Sequence, residues 1–74
     1  MRKSTYTGII EKEGDLYVVL CPELDVVSQG FTVEEATANL REAVEFFLES
    51  ASPEEITQRL HTEVFVTRFD AVHG

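Results

Sequence analysis

The stretch TVEEATANLREAVEFFLES, residues 32–50, decides the fold class. Thr32 followed three positions later by Glu35 is a capping box, in which each side chain satisfies a backbone N–H that the first helical turn leaves open. Glu34 and Glu35 also place negative charge where the helix dipole favours it. Beyond the cap, apolar residues recur at Val33, Ala36, Leu40, Ala43, Val44, Phe47, Leu48 and Ala51, which is one continuous stripe at helical spacing. Glu34, Arg41, Glu42, Glu45 and Glu49 lie opposite. The pattern predicts a helix from Val33 to about Ser50, ended by Ser52-Pro53 because a residue before proline avoids the α region. One large side chain is off the stripe. At about 100° per residue, Phe46 falls well away from the stripe centre near Leu40. Either it contacts another chain, or it covers the edge of its own core.

Toward the N-terminus the period changes from helical to two. Ser4 to Lys12 reads as a strand, on Tyr6, Ile9, Ile10 and the β-branched Thr5 and Thr7. Glu13-Gly14-Asp15 carries turn chemistry, and Leu16 to Cys21 reads as the second arm of a hairpin. That second strand is apolar on both faces: Leu16, Val18 and Leu20 on one, Tyr17, Val19 and Cys21 on the other. A single helix covers only one of them. We assign Tyr17, Val19 and Cys21 to the face left for self-association, and note that a one-residue slip in register exchanges the two faces. Pro22 breaks the strand, and Val26 to Phe31 resumes as a short third one.

Toward the C-terminus, Ser52-Pro53-Glu54-Glu55 is a second helix start, with Ser52 at the cap and Pro53 at the first helical position. A short helix to about Leu60 follows. Glu63 to Asp70 reads as a final strand, Val64 and Val66 facing one way, Phe65, Thr67 and Phe69 the other. The expected order is β-β-β-α-(α)-β. It is an α+β fold, a three-stranded antiparallel meander completed by a returning strand, with one sheet layer and one helix layer. With 74 residues and no repeat or linker, residues 1–74 form one small domain.

The composition restricts the function. Fourteen acidic residues against six Lys and Arg give a formal charge of -8. Such a chain repels phosphate backbones and anionic lipid, and attracts a basic protein partner. No apolar run reaches the roughly 18–20 residues of a membrane span, and no signal-peptide h-region follows Met1. A single cysteine allows no internal disulfide, so a cytoplasmic location is expected. No catalytic constellation stands out. Cys21 has no partnered histidine in sequence, His61 and His73 are not at ligand spacing, and no phosphate-binding glycine loop occurs. No enzyme activity, cofactor or metal is therefore expected. Glu42, Glu45 and Glu49 are either a solvated face or an acidic docking face beside Phe46.

The ordered set Tyr17-Val18-Val19, Pro22-Glu23-Leu24, Ser28-Gln29-Gly30 and Thr32-Val33-Glu34-Glu35-Ala36, with Ala43 and Leu48 further along the helix, resembles the HicB-like antitoxins. The resemblance covers roughly residues 6–50. It departs from the family at Asp25-Val26, where a Pro-Gly is common, and at Phe31, where a polar residue is common. Many members carry a further DNA-binding module, for which 74 residues leave no room, so direct nucleic-acid binding is not expected of this chain. The resemblance implies a partial RNase H-like fold and a role in a type II toxin–antitoxin pair. Its partner would be a small basic HicA-like toxin that cleaves mRNA, and the antitoxin itself a homodimer or homotetramer. Phe46, Glu42, Glu45 and Glu49 are the partner-binding residues we assign to that role. A homo-oligomeric structural or small-ligand-binding domain without a toxin is the other reading the residues allow.

Overall fold

Gly14 turns the chain with φ +60°, while Asp15 keeps a negative φ, the type II′ pattern with glycine at its first central position. In the computed structural model, which describes residues 3–74, this two-residue loop joins β1 (Ile9–Glu13) to β2 (Leu16–Cys21). It pairs Glu13 with Leu16 and so fixes every later pair, Val19 opposite Ile10 among them. The turn at 22–25 then leads into β3 (Val26–Gly30), which pairs with β2 so that Val19 faces Ser28 and Tyr17 faces Gly30. Asp25 occupies the left-handed region there, at φ 55°, a conformation its short polar side chain tolerates. The sheet is antiparallel with order β1-β2-β3.

Helix α1 (Val33–Ser50) begins at the predicted cap, where Thr32 Oγ1 accepts from Glu35 N at 3.0 Å; the reciprocal half of the box is shifted by one residue, because Glu35 Oε1 accepts from Phe31 N at 3.2 Å rather than from the cap's own N–H. Its stripe buries Ala36, Leu40 and Val44 against Val19, Cys21 and Leu24, with Tyr6, Tyr17, Val26, Phe47 and Leu48 packed around them. Each large aliphatic group buried here contributes about 1.5–3 kcal/mol. The helix lies chiefly over β3 and β2. Its first turn comes so close to the sheet that a Cβ on Gly30 would stand 2.5 Å from Ala36 N and 2.9 Å from the Glu35 carbonyl carbon.

Helix α2 (Pro53–Arg59) opens with a complete capping box between Ser52 and Glu55. It buries no residue, and polar contacts dock it. Arg59 Nε and Nη2 donate to Leu24 O at 3.0 and 2.8 Å, Nη2 also to Asp25 O at 3.1 Å, and its guanidinium sits 4.7 Å from the Phe47 ring centroid. His61 N donates to Glu23 O at 2.7 Å. The β2–β3 turn is thus the seat of α2.

Two expected elements differ. The first strand starts at Ile9 rather than Ser4, because the residues before Ile9 leave the ladder to bring Thr7 to the Glu23 carboxylate and Tyr6 to the core. Glu63 to Asp70 is not a strand: residues 61–74 have no regular secondary structure. A strand needs an edge to pair with, and α2 releases the chain from the 23–25 turn without reaching one. The segment projects instead, and the radius of gyration is 14.4 Å, against about 11 Å for a compact chain of this length.

Two predictions follow from the packing. Gly30→Ala should lower stability by about 2 kcal/mol or more, since the obstructing atoms are backbone and cannot rotate away; the urea midpoint measures it. Arg59→Ala should speed hydrogen exchange in α2 while leaving α1 protected, because the lost bonds hold only α2.

Candidate functional site

Two surfaces and one polar cluster carry the features that chemistry or binding would use. The first surface is the outer side of α1. Helical geometry puts Asn39, Glu42, Ala43, Glu45, Phe46 and Glu49 around one shallow, open hollow. Phe46 is 70% exposed, so it does not cover the edge of its own core. Glu42, Glu45 and Glu49 stand around it, all exposed. Among the described residues none of the three has a basic partner at ion-pair distance; the one acid–base contact there sets His61 Nε2 3.4 Å from Asp25 Oδ2, both residues exposed. An apolar ring within a ring of free carboxylates suits a partner that offers an apolar pocket with basic groups at its rim.

The second surface is the sheet face away from α1. The residues assigned to self-association do not lie there. Tyr17, Val19 and Cys21 point toward the helix, with Val19 and Cys21 fully buried and Tyr17 partly so. The reason is the two-residue turn, whose register sets this trio on the side of Ile10 and Ser28. Leu16, Val18 and Leu20 take the open face, where Ile9, Leu20 and Val27 form a row across the three strands, at 37, 37 and 59% exposure. A signal for this was present in sequence. Glu11, Glu13 and the polar Gln29 fall on the same face as Leu16 and Val18, against Lys12 on the side of Tyr17, and the excess of polar neighbours marks the side left wet.

The polar cluster links three segments. Glu23 accepts two bonds from Thr7 N, at 3.0 and 3.1 Å, and one from the Thr7 hydroxyl at 2.6 Å. The Cys21 thiol donates to Glu23 Oε1 at 3.5 Å. Desolvation opposes ionisation of Glu23, but the hydrogen bonds from Thr7 outweigh it and hold the carboxyl below its ordinary value. Burial, with the Glu23 carboxylate alongside, pushes the Cys21 thiol up. A raised, buried thiol is the opposite of an activated nucleophile. Among the described residues, no three His, Cys, Asp or Glu side chains converge as metal ligands. His61 sits at the 23–25 turn, and His73 in the projecting segment. No helix among them is long and apolar enough to cross a membrane.

Comparison with models of known protein families, with curated proteins and with solved structures gives no match for this chain.

The Glu23 cluster has a definite pH consequence. Its folded-state value lies below its unfolded value of about 4.3. The stabilisation is therefore complete at neutral pH, and is lost as pH falls through the depressed folded value. Glu23→Gln should cost about 1 kcal/mol at pH 7 and much less in acid, so the stability difference from wild type shrinks between pH 5 and pH 2 in thermal melts.

Proposed function

We propose that this chain is an antitoxin of a type II pair, which binds a small basic HicA-like toxin and blocks its cleavage of mRNA. The observation that carries this reading is Phe46, 70% exposed and set among Glu42, Glu45 and Glu49 on a helix whose opposite side is the core. The aromatic is the kind of residue that anchors an interface. The free carboxylates, in a chain of net charge -8, steer a basic partner toward it. The three-strand meander followed by α1 agrees in element order with what the resemblance over residues 6–50 implies, although among the described residues the returning strand is not formed. In this reading the domain works by covering the toxin's active surface, and its own residues perform no bond chemistry.

A second reading rests on a different observation. The apolar row Ile9, Leu20 and Val27 suits a homo-oligomeric domain that meets no toxin. The two are separated by what the chain holds. Immobilised at low salt in its native lysate, it is expected to retain a small basic protein that degrades mRNA when released and stops when the chain is restored. Retention of no such ribonuclease favours the second reading.

Phe46→Ala should weaken toxin binding by about 2 kcal/mol, roughly thirtyfold in Kd, with an unchanged thermal melt. Replacing Glu42, Glu45 and Glu49 by Gln should instead slow association and reduce its salt dependence. Titration calorimetry reads the first, stopped-flow binding the second. Unaltered affinity in Phe46→Ala removes Phe46 from the interface.

A further inference from the structure

The segment after α2 is built like a strand and has nothing to pair with. Val64, Val66 and Arg68 alternate with Phe65, Thr67 and Phe69, and Phe65 and Phe69 are each 85% exposed. Among the described residues, no main-chain hydrogen bond joins residues 62–74 to the rest of the chain, and Thr67 Oγ1 donates only to its neighbour's carbonyl. Val66 is exposed on the other side and Val64 half-buried, and exposing two phenylalanines and a valine on an extended arm is unfavourable in water. Both-sided apolar patterning is that of a strand covered on each face.

The sheet of the same chain has a vacant place for such a strand. β1 is an edge, exposed along its whole length, with Ile9 and Ile10 each at 37% on opposite faces. The other edge is obstructed: Asn39 Nδ2 donates to Gln29 O at 2.8 Å, and α1 lies over β3. On one side of β1 the row Ile9, Leu20, Val27 is open, and on the other α1 covers β2 and β3 but leaves Ile10 half-exposed. A strand added beside β1 would carry one apolar face toward each.

We propose that residues 63–72 add to the β1 edge of a second copy of this chain, and that the second copy returns its own arm to the first. A second copy is the occupant because each chain carries both the arm and the edge that fits it, so reciprocal exchange closes on itself about a twofold axis. The point of departure favours exchange over folding back. Arg59 and the His61 N–H fix the end of α2 on the 23–25 turn, and beyond that point, among the described residues, the arm makes no main-chain hydrogen bond to its own sheet and leaves Phe65 and Phe69 exposed. The area is sufficient as well. At roughly 150–250 Å² per phenylalanine, the four of two exchanged arms and the surface receiving them reach the roughly 1,200–2,000 Å² of a stable interface. This assembly stands on different residues from the toxin-binding surface, and does not depend on that reading.

The test uses the full chain in two measurements. Sedimentation equilibrium is run on the wild type and on a Phe65→Glu/Phe69→Glu variant, whose circular dichroism reports whether α1 stays folded. The expected result is a wild-type mass of two chains and a folded variant of one. A monomeric wild type, or a variant still dimeric, overturns the proposal. Hydrogen exchange is then followed at concentrations above and below the dimer's dissociation. Amides of residues 64–69 and of the β1 edge should be protected together in the dimer and lose that protection on dilution. Protection that persists in the dilute monomer means that the arm folds back on its own sheet, and overturns the exchange. If the variant unfolds, the wild-type dilution series decides alone.

Discussion

The approach of α1 to Gly30 is the constraint from which the rest of the architecture follows. With no side chain at that position, the first turn of the helix rests on the backbone of β3, and the stripe Ala36, Leu40, Val44 comes down directly on Val19, Cys21 and Leu24. Every buried group in this small core is within reach because the two layers meet there without a spacer. Thr32 starts the helix at the same place, two residues after the glycine, so capping, sheet end and close contact are one local event. The direction of α1 across the sheet, and therefore which of its sides is left outward, is fixed by this junction. Phe46 and its glutamates stand on the outer side as a consequence of where the helix begins.

Both helices were legible in the sequence, their starts to the residue and their ends to within one, because caps and periodicity are local. α1 ends at Ser50 and α2 starts at Pro53 as the Ser52-Pro53 signal requires. The hairpin was also legible, since Gly14 needs only its neighbours to turn. Face assignment was not. With Leu16, Val18 and Leu20 as apolar as Tyr17, Val19 and Cys21, β2 read alone carries no inside or outside, and only the register relative to Glu11, Glu13 and Gln29 breaks the tie. The bonds from Thr7 to Glu23 and from Arg59 to Leu24 O were not foreseeable either, as each joins residues far apart in sequence. The final strand was read from true strand chemistry. Sequence patterning specifies what a segment is suited to, while pairing depends on an edge being present.

The polar contacts form a second level of organisation, centred on the turn at 22–25. Glu23 draws in the segment before β1 through its side chain, and α2 through its carbonyl. Leu24 fills the core with its side chain while its carbonyl receives Arg59. One tight turn thus ties both the segment before β1 and the end of α2 to the core. This explains how α2, which buries no residue, nevertheless has a defined seat.

The scarcity of ion pairs gives this domain an unusual relation to its solvent. Five glutamates line α1 with Arg41 their lone counter-charge on the helix, no basic residue occupies the last turn, and among the described residues no Lys or Arg is paired with a carboxylate. Glu45 and Glu49 therefore add to the negative end of the helix dipole. Proteins laced together by surface ion pairs loosen as ionic strength rises; here the dominant long-range force is self-repulsion, and mobile cations weaken it within a screening distance of about 8–10 Å. Salt would tighten the folded domain while dulling its attraction for a cationic surface, so its stability and its recognition of a basic partner are set against each other by a single property of the medium.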